Sequence, residues 1–367
     1  MTATAPGAMP SLAAGSSAPP CQVYDVALLD LDGVVYVGPD AVPGVPEALI
    51  AARTAGMRLG FVTNNAARPP ELVAEHLTRL GVPAEAGDVI TSSQAAATVV
   101  AELFEPGAPV LAVGGPGVAA ALTAAGLTVV ERAEDRPLAV VQGYGTDVGW
   151  LQLAEAVVAV RNGARHVATN VDATIPSPRG PLPGNGAMVG VVRTVTGQEP
   201  LITGKPDPAM HAECVRRTGA RRPLVVGDRL DTDIEGARLA GAASLLVFSG
   251  ITDPALLLAA GPRHRPDLLA DDAAGLLRPH PPVTTDGASW RCGTWSVRAA
   301  EGKDVLVLGG GGAEDERDDG LDGLRALCAA HWSRHPGEGA PVQVVAAGSR
   351  AEKALGRWAL TVPSTGA

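Results

Sequence analysis

Residues 23–33 read VYDVALLDLDG, and this stretch decides how the rest of the chain is interpreted. The run Val23–Leu29 is almost entirely apolar, which is typical of a strand buried on both faces of a parallel sheet. Asp30 and Asp32 follow this strand directly, and Gly33 allows a tight turn after them. Because two neighbouring carboxylates repel each other, the pattern predicts a cation between them. Mg²⁺ is the expected ion, since it prefers oxygen ligands and leaves positions open for a phosphate.

Strand-like and helix-like segments alternate on the C-terminal side of this stretch. Residues 57–62 repeat the pattern of a buried strand, and helices are predicted over 45–55 and 69–80. The same alternation returns over 206–248. Repeated strand–helix units predict an α/β fold, a Rossmann-like doubly wound parallel sheet with helices on both faces. Ligands of such sheets bind beyond the carboxyl ends of the strands, so the chemistry is expected there.

The order of these segments predicts four parts of the chain. The middle has strands and helices of its own and is predicted to be an inserted α/β domain. After a proline-containing linker at 280–282, a small α+β appendage is expected. The expected boundaries are 1–20 for a disordered tail, 21–105 and 201–280 for the core, 106–200 for the inserted domain and 281–367 for the appendage.

Composition narrows the class of function. With 29 basic and 39 acidic residues the net charge is −10, and aromatic residues make up 3%, so a nucleic-acid partner is not expected. The four cysteines have no C-x-x-C spacing and the N-terminus does not look like a signal peptide, which predicts a cytoplasmic protein. The uncharged stretch 106–130 is long enough to cross a bilayer, but prolines and glycines interrupt it, so no membrane span is expected.

Further polar residues are predicted at the carboxyl ends of other strands. The Thr63 hydroxyl and the amides after it could bind an anion. Lys205 is one of only three lysines and could neutralise phosphate charge. Asp228 is expected to be a second metal ligand, with Asp233 supporting it from the next helix. Each residue has an ordinary structural explanation by itself, but together they favour one catalytic site.

In the order of these motifs, the sequence resembles the haloacid dehalogenase superfamily of phosphohydrolases. The motifs are DLDGVV at 30–35, TNN at 63–65, KP at 205–206 and GDRLDTD at 227–233. The resemblance covers about 23–277. The long separation of the second and third motifs looks like the nitrophenyl-phosphatase-like subfamily with a large inserted cap, and the likeness is greatest to actinobacterial glycerol-3-phosphate phosphatases. Ala66 and Ala67 stand where relatives often carry serines, and Trp150 where many have tyrosine.

The resemblance implies a Mg²⁺-dependent phosphomonoesterase that hydrolyses a small phosphorylated metabolite through an aspartyl-phosphate intermediate. Glycerol 3-phosphate is the leading substrate, with phosphoglycolate and nitrophenyl phosphate as alternatives. The implied catalytic residues are Asp30, Asp32, Thr63 and Lys205. The implied substrate-binding residues are Thr63, Asn64, Asn65, Lys205, Asn170, Asp172 and Thr174. The implied metal ligands are Asp30, Asp32, Asp228 and Asp233, with Asp32 contributing its backbone carbonyl.

Other interpretations stay open. GPGVAA at 115–120 follows a predicted strand and matches the G-x-G-x-x-A pattern of dinucleotide-binding enzymes. A non-enzymatic phosphoryl receiver also gathers acids, a threonine and a lysine around Mg²⁺, but it needs neither Asp32 nor a cap.

The appendage offers weaker signals. The glycine run 309–312 lacks the lysine of a nucleotide-binding P-loop and is expected to be a flexible loop. Cys328, His331 and His335 have a helical spacing that could bind zinc, although an ordinary polar helix face is favoured. The appendage could regulate, dimerise or simply cover the core. A homodimer is therefore one expectation among several for the oligomeric state.

Overall fold

The structure is a computed structural model that describes residues 12–175, 177, 179–300, 305–310, 319–337, 339 and 342–360. The helices are α1 Pro20–Val23, α2 Val45–Thr54, α3 Pro70–Arg79, α4 Ser92–Leu103, α5 Pro116–Ala124, α6 Trp150–Arg161, α7 Asn185–Thr196, α8 Pro208–Thr218, α9 Glu235–Leu239, α10 Pro254–Leu258, α11 Asp322–Arg334 and α12 Ser349–Arg357. The strands are β1 Val26–Leu29, β2 Tyr36–Val37, β3 Asp40–Ala41, β4 Arg58–Thr63, β5 Val89–Thr91, β6 Pro109–Val113, β7 Thr128–Val130, β8 Ala139–Gln142, β9 Arg165–Ala168, β10 Thr174–Ile175, β11 Leu182–Pro183, β12 Leu201–Ile202, β13 Pro223–Gly227, β14 Ala243–Val247, β15 Leu268–Ala270, β16 Thr284–Thr285, β17 Ser289–Cys292, β18 Trp295–Ala299, β19 Val305–Gly310 and β20 Gln343–Ala346.

The chain forms two compact units. The first contains the described residues of Met1–Leu59 and Arg222–Ala367, and the second contains Gly60–Arg221. This division differs from the boundaries inferred from the sequence, which separate the core from the cap at 105/106 and 200/201. Those domain boundaries therefore remain a prediction.

The first unit contains parallel strands in the order β15-β14-β13-β1. Every residue of β1, β14 and β15 is buried, as expected for strands with both faces covered. The register pairs Leu29 of β1 with Val226 of β13, so these two strands end side by side. Asp30 and Asp228 are therefore brought to the same edge of the sheet by the pairing of purely apolar residues.

The appendage is a second sheet within the first unit, with the strand order β16-β17-β18-β19-β20. Its strands pair antiparallel except for β19 and β20, which are parallel. Helix α11 packs on this sheet, and almost every residue along it is buried. One hydrophobic cluster joins appendage residues such as Leu306 and Leu324 to core residues such as Leu246, and it includes Leu230 and Ile234. The expected α+β character of this region is confirmed, whereas β16 and β17 had no clear sequence signal.

Residues 12–20 of the predicted N-terminal tail are ordered. Residues 1–11 of that tail lie outside the described residues, but Leu12 is only 4% exposed. The backbone amide of Ser16 donates to the His280 carbonyl at 2.7 Å, and the His280 amide donates to the Ser16 carbonyl at 2.8 Å. The expectation of disorder is therefore wrong for 12–20. Composition alone could not reveal this pairing, because the partner is distant in sequence.

The second unit contains a parallel sheet with the strand order β12-β9-β8-β6-β7. Four of its strands lie in the predicted cap, 106–200, and β12 lies just beyond it. Alanine-rich helices α4 and α5 cover one face of this sheet, while α6 and α7 cover the other. Strands β4 and β5 form a further parallel pair in this unit. Parallel sheets flanked by helices confirm the predicted α/β class.

The stretch 106–130 folds as β6, α5 and β7 rather than as one long helix. Within the described residues, every helix is too short or too polar to cross a membrane.

Candidate active site

Three carboxylates of the first unit converge at the ends of β1 and β13. One oxygen each from Asp30, Asp228 and Asp233 lies within 4.8 Å of the other two. Asp228 and Asp233 are each 1% exposed, whereas Asp30 is partly exposed. Like charges held this close in a buried setting repel strongly unless a cation lies among them. A set of carboxylate oxygens alone suits a hard divalent cation such as Mg²⁺.

The backbone around these carboxylates fixes their positions. The amide of Asp30 donates to the Val226 carbonyl at 2.9 Å, which anchors the end of β1 on β13. Asp233 lies in a wide helical turn, and its carboxylate accepts a hydrogen bond from the amide of Arg229 at 3.2 Å. Main-chain hydrogen bonds therefore help to fix Asp30 and Asp233, and the predicted metal residues Asp30, Asp228 and Asp233 are brought together.

A loop after β14 wraps around Asp228. The amide of Ile251 donates to Asp228 Oδ2 at 2.7 Å, and the hydroxyl of Ser249 donates to the Gly33 carbonyl at 2.6 Å. This loop was not predicted from the sequence. Its only signal is that SGIT at 249–252, which contains two hydroxyl side chains and a glycine, follows a predicted strand at the same edge of the sheet.

Two glycines make room for Asp228. Gly33 has a φ of +84°, and a Cβ there would lie 2.5 Å from Asp228 Oδ2. A Cβ on Gly250 would overlap the same carboxylate oxygen. These two positions therefore require glycine, because a side chain at either would displace the Asp228 carboxylate.

The variant Gly250→Ala tests this packing. The added methyl group must displace the Asp228 carboxylate, so we expect Mg²⁺ binding to weaken by about 10- to 100-fold, as for other changes that misplace a metal ligand. Isothermal titration with MgCl₂ measures the affinity. Gly190→Ala in α7 is the matched control, since a Cβ there meets open space. Equal Mg²⁺ affinities for the two variants would contradict the assignment.

Asp32 differs from the three clustered carboxylates. Its side chain is exposed and lies in a tight turn, in which the amide of Val35 donates to the Leu31 carbonyl at 2.9 Å. The clustered group does not include its carboxylate. An exposed carboxylate two residues after Asp30 is placed for exchanging protons with solvent or substrate. A contact of Asp32 with the metal through its backbone carbonyl stays a prediction.

A second group of predicted residues is assembled within the second unit. The Asn64 Oδ1 atom accepts a hydrogen bond from the amide of Lys205 at 2.9 Å, and Asn64 Nδ2 donates to the Lys205 carbonyl at 3.2 Å. One amide side chain is thus hydrogen-bonded to both the backbone amide and the backbone carbonyl of Lys205. Thr63 is 6% exposed at the end of β4, and its hydroxyl accepts from the amide of Asn65 at 3.0 Å. The second and third motifs are therefore joined by direct hydrogen bonds.

The predicted cap residues separate into two kinds. Asn170 donates from Nδ2 to the Asn64 carbonyl at 2.6 Å and accepts from the Asp172 amide at 3.3 Å, so its side chain is engaged by the chain itself. Asp172 accepts a hydrogen bond from Asn64 Nδ2 at 3.3 Å. Thr174 lies exposed on the hairpin of β10 and β11. Asn170 and Asp172 are therefore part of the hydrogen-bond network around Asn64 and Lys205.

The glycine pattern at 115–120 has a structural explanation. It lies between β6 and α5, as a dinucleotide site would require. However, the amide of Gly117 donates to the Ala67 carbonyl at 3.0 Å, and the amide of Gly115 donates to the Tyr144 carbonyl, also at 3.0 Å. A Cβ on Gly117 would lie 2.5 Å from the Ala66 carbonyl oxygen. These glycines permit close packing. The backbone amides that would bind a pyrophosphate already donate hydrogen bonds to carbonyls of the protein.

Among the described residues, Cys328, His331 and His335 do not form a group that could hold zinc. Within the described ranges, Asp30, Asp228 and Asp233 form the only group of three or more side chains that could hold a metal ion. Cys328 is fully buried, and burial raises the pKa of its thiol. His331 is 1% exposed. The expectation of a polar helix face is therefore wrong, because α11 is buried.

Comparison with protein families identifies three regions. Residues 27–128 match a family of haloacid dehalogenase-like hydrolases, and residues 202–276 match a HAD-hydrolase-like family. Residues 292–360 match a GCN5-related N-acetyltransferase like domain. Sequence analysis assigns no family to the appendage, so this last match is new information.

Two curated relatives cover different shares of the chain. The D-glycerol 3-phosphate phosphatase of Mycobacterium tuberculosis is 43% identical over 343 residues, which is 92% of this chain and 95% of that protein. An acid sugar phosphatase of Staphylococcus aureus is 37% identical over 231 residues, 62% of this chain and 88% of that protein.

Solved structures agree with these relationships. The glycerol phosphate phosphatase of M. tuberculosis in complex with magnesium has a TM-score of 0.82 at 42% identity, covering 94% of this chain and 99% of that chain. A p-nitrophenyl phosphatase from Archaeoglobus fulgidus has a TM-score of 0.65 at 27% identity, covering 69% of this chain and 98% of that chain. The chain therefore belongs to the haloacid dehalogenase-like hydrolases and is a phosphatase of the family that contains the D-glycerol 3-phosphate phosphatase.

Proposed function

We propose that this phosphatase hydrolyses glycerol 3-phosphate in a Mg²⁺-dependent reaction. The observation that carries the proposal is the group of three carboxylates at the ends of β1 and β13, whose oxygens lie within 4.8 Å of one another. The substrate is supported by the 43% identity to a D-glycerol 3-phosphate phosphatase along nearly the whole of both chains. Magnesium is supported by the structural similarity to a phosphatase complexed with that ion.

In the proposed mechanism, Asp30 is the nucleophile and Asp32 is the acid and base. A carboxylate oxygen of Asp30 attacks phosphorus, and the bond from phosphorus to the glycerol oxygen breaks. Asp32 donates its proton to the leaving alkoxide. Asp32 then removes a proton from a water molecule that attacks the aspartyl-phosphate. Inorganic phosphate leaves, and the Asp30 carboxylate is restored.

The other residues bind and orient. Asp30, Asp228 and Asp233 would hold Mg²⁺, together with the Asp32 backbone carbonyl. When bound, the ion neutralises phosphate charge and orients the phosphoryl group. Thr63 and Lys205 bind phosphate oxygens, and Asn64 keeps the backbone of Lys205 in place through its two hydrogen bonds. Asn65, Asn170, Asp172 and Thr174 are proposed to shape the substrate-binding region. Positioning and charge stabilisation provide most of the catalysis in such phosphoryl transfers.

Phosphate release from a panel of esters tests the proposal. The panel contains glycerol 3-phosphate, phosphoglycolate, a sugar phosphate and p-nitrophenyl phosphate, each with Mg²⁺ and with EDTA. We expect glycerol 3-phosphate to have the highest kcat/KM. We expect EDTA to lower the rate by about 100-fold or more, since the carboxylates then repel the phosphate, and added Mg²⁺ to restore it.

Each result of this panel has a defined meaning. If another ester has the highest kcat/KM, the substrate assignment is wrong and the mechanism stands. If full activity persists in EDTA, the metal site is wrong.

We also propose that the chain acts in the cytoplasm. All four cysteines are free and buried, which is the usual state in a reducing compartment. The absence of nucleic-acid binding, expected from the net charge of −10, stays a prediction. A homodimer also stays a prediction, which sedimentation of the purified chain would decide.

A further inference from the structure

Asn185 connects three separate segments of the second unit. It is the first residue of α7 and is 2% exposed. Its Nδ2 atom donates to the carbonyl of Gln142, at the end of β8, at 3.2 Å. The same atom donates to the carbonyl of Asn170, beyond the end of β9, at 2.8 Å. One buried side chain therefore ties a helix to the ends of two neighbouring strands.

The chemistry of these contacts requires an amide. Both partners of Asn185 are carbonyl oxygens, so the atom between them must be a donor with two hydrogens. The other side-chain atom, Oδ1, is buried and has no hydrogen-bond partner among the described residues. Because an unpaired buried acceptor is unfavourable, stability alone does not favour asparagine here. The two donated hydrogen bonds are the feature that this side chain supplies.

The loop held by Asn185 lies directly on the start of α7. The amide of Gly186 donates to the Asp172 carbonyl at 2.9 Å, and the amide of Gly184 donates to the Ala173 carbonyl at 2.9 Å. A Cβ on Gly184 would overlap the Asp172 carbonyl oxygen, and one on Gly186 would overlap that of Val171. The backbone of 170–173 is therefore packed against 184–186, with Asn185 at the centre of the contact.

The hydrogen bonds continue from this loop to Lys205. Asn170, whose carbonyl Asn185 holds, donates from its side chain to the Asn64 carbonyl at 2.6 Å. Asn64 in turn brackets the Lys205 backbone with bonds of 2.9 and 3.2 Å. Three asparagines thus form a series, Asn185 to Asn170 to Asn64, that ends on the main chain of the lysine.

We propose that Asn185 is a positioning residue for phosphate binding, which acts on Lys205 through Asn170 and Asn64. The inference rests on the proposed function, in which Lys205 binds phosphate. Asn185 touches only backbone carbonyls in this series, so its effect is on where the next residues lie. Since a phosphate-binding lysine contacts both bound substrate and bound phosphate, its displacement weakens the affinity for each.

The variant Asn185→Asp tests the proposal, because it keeps the shape and removes both donated hydrogen bonds. We expect KM for glycerol 3-phosphate and the inhibition constant of inorganic phosphate both to rise at least tenfold, with a smaller change in kcat. Asn185→Ser keeps one donor and is expected to give intermediate values. Val192→Ala, which removes buried volume from the same helix, is the control for lost stability, and we expect its KM to match the native value.

A double variant separates positioning from a local packing effect. If Asn185 acts through Asn170, the loss in kcat/KM for Asn185→Asp with Asn170→Ala is no larger than that of the worse single change. Losses that multiply would overturn the proposal, as would a KM and phosphate inhibition constant for Asn185→Asp within twofold of those for Val192→Ala. A native enzyme that hydrolyses no panel ester would instead refute the proposed function.

Discussion

The variant Asp30→Asn is expected to lower kcat for phosphate release by about three to five orders of magnitude, as is usual when a nucleophile is removed. The amide has nearly the shape of the carboxylate, but it cannot attack phosphorus. The change also removes one of the three carboxylates that converge at the ends of β1 and β13. Phosphate release under saturating substrate, compared with the native chain, measures the loss.

Two observations distinguish lost chemistry from lost folding. In EDTA, Asp30→Asn is expected to unfold at a temperature at least as high as the native chain, because one source of carboxylate repulsion is gone. Asp40→Asn, an exposed aspartate on β3, is the matched control and should retain native activity. If Asp30→Asn keeps more than a tenth of the native kcat, Asp30 is not the nucleophile.

The variant Arg325→Met is expected to lower the free energy of unfolding by about 3–5 kcal/mol, the range found when one partner of a buried ion pair is removed. The guanidinium of Arg325 is 1% exposed. It donates to both carboxylate oxygens of Asp319, at 2.7 and 2.6 Å, and to Asp322 at 2.8 Å. It also donates to the carbonyl of Leu269, in β15, at 2.6 Å. Methionine fills a similar volume but removes the hydrogen bonds and the positive charge that the guanidinium provides to these acceptors.

Urea denaturation measures this loss, with Arg298→Met as the control. Arg298 is exposed on β18, so its replacement is expected to stay within about 0.5 kcal/mol of native. Adding Asp319→Asn and Asp322→Asn to Arg325→Met should recover part of the loss, since the uncompensated charges are then absent. A cost below about 1 kcal/mol for Arg325→Met would mean that solvent reaches the group in solution.

The same ion pair gives the stability a defined pH dependence. Burial by itself would raise the pKa of Asp319, but the hydrogen bonds and charge of Arg325 outweigh it and hold that pKa below its ordinary value of 3.8. A carboxyl whose pKa is lowered by folding contributes stability above its unfolded pKa, and this contribution is lost as the pH falls through the folded pKa. Arg325→Met should therefore show a weaker loss of stability than the native chain as the pH falls below about 4.

The residues of the site that are predicted best from the sequence are those that directly follow a strand made only of apolar residues. β1 is apolar without interruption, so its end, and with it Asp30, could be located from composition alone. Lys205 stood out because lysine is rare in this chain. The loop at 249–252 could not be assigned, because its contacts with Asp228 and Gly33 depend on how β14 lies in the sheet.

The appendage shows the opposite case, in which polar residues misled the interpretation. The spacing of Cys328, His331 and His335 favoured a polar helix face, yet Cys328 and His331 are buried in α11 together with Asp322 and Arg325. Arg325 is buried with Asp322, and it also donates to the partly buried Asp319 and to a carbonyl of β15, which lies 56 residues away in sequence. A hydrogen bond between segments so far apart in sequence leaves no local periodicity. The sequence therefore could not show that the polar residues of α11 are buried rather than exposed to solvent.

One hydrophobic cluster of the first unit has a consequence for protein synthesis. Leu230 and Ile234, which flank Asp233, belong to the same cluster as Leu12 and Trp358. Chains fold as they leave the ribosome, generally from the N-terminus. The packing behind Asp233 therefore cannot be completed until residues as far as Trp358 have emerged from the exit tunnel. A nascent chain that stalls in the appendage would carry every proposed catalytic residue and still lack the completed packing behind the proposed metal site, so activity would follow completed synthesis.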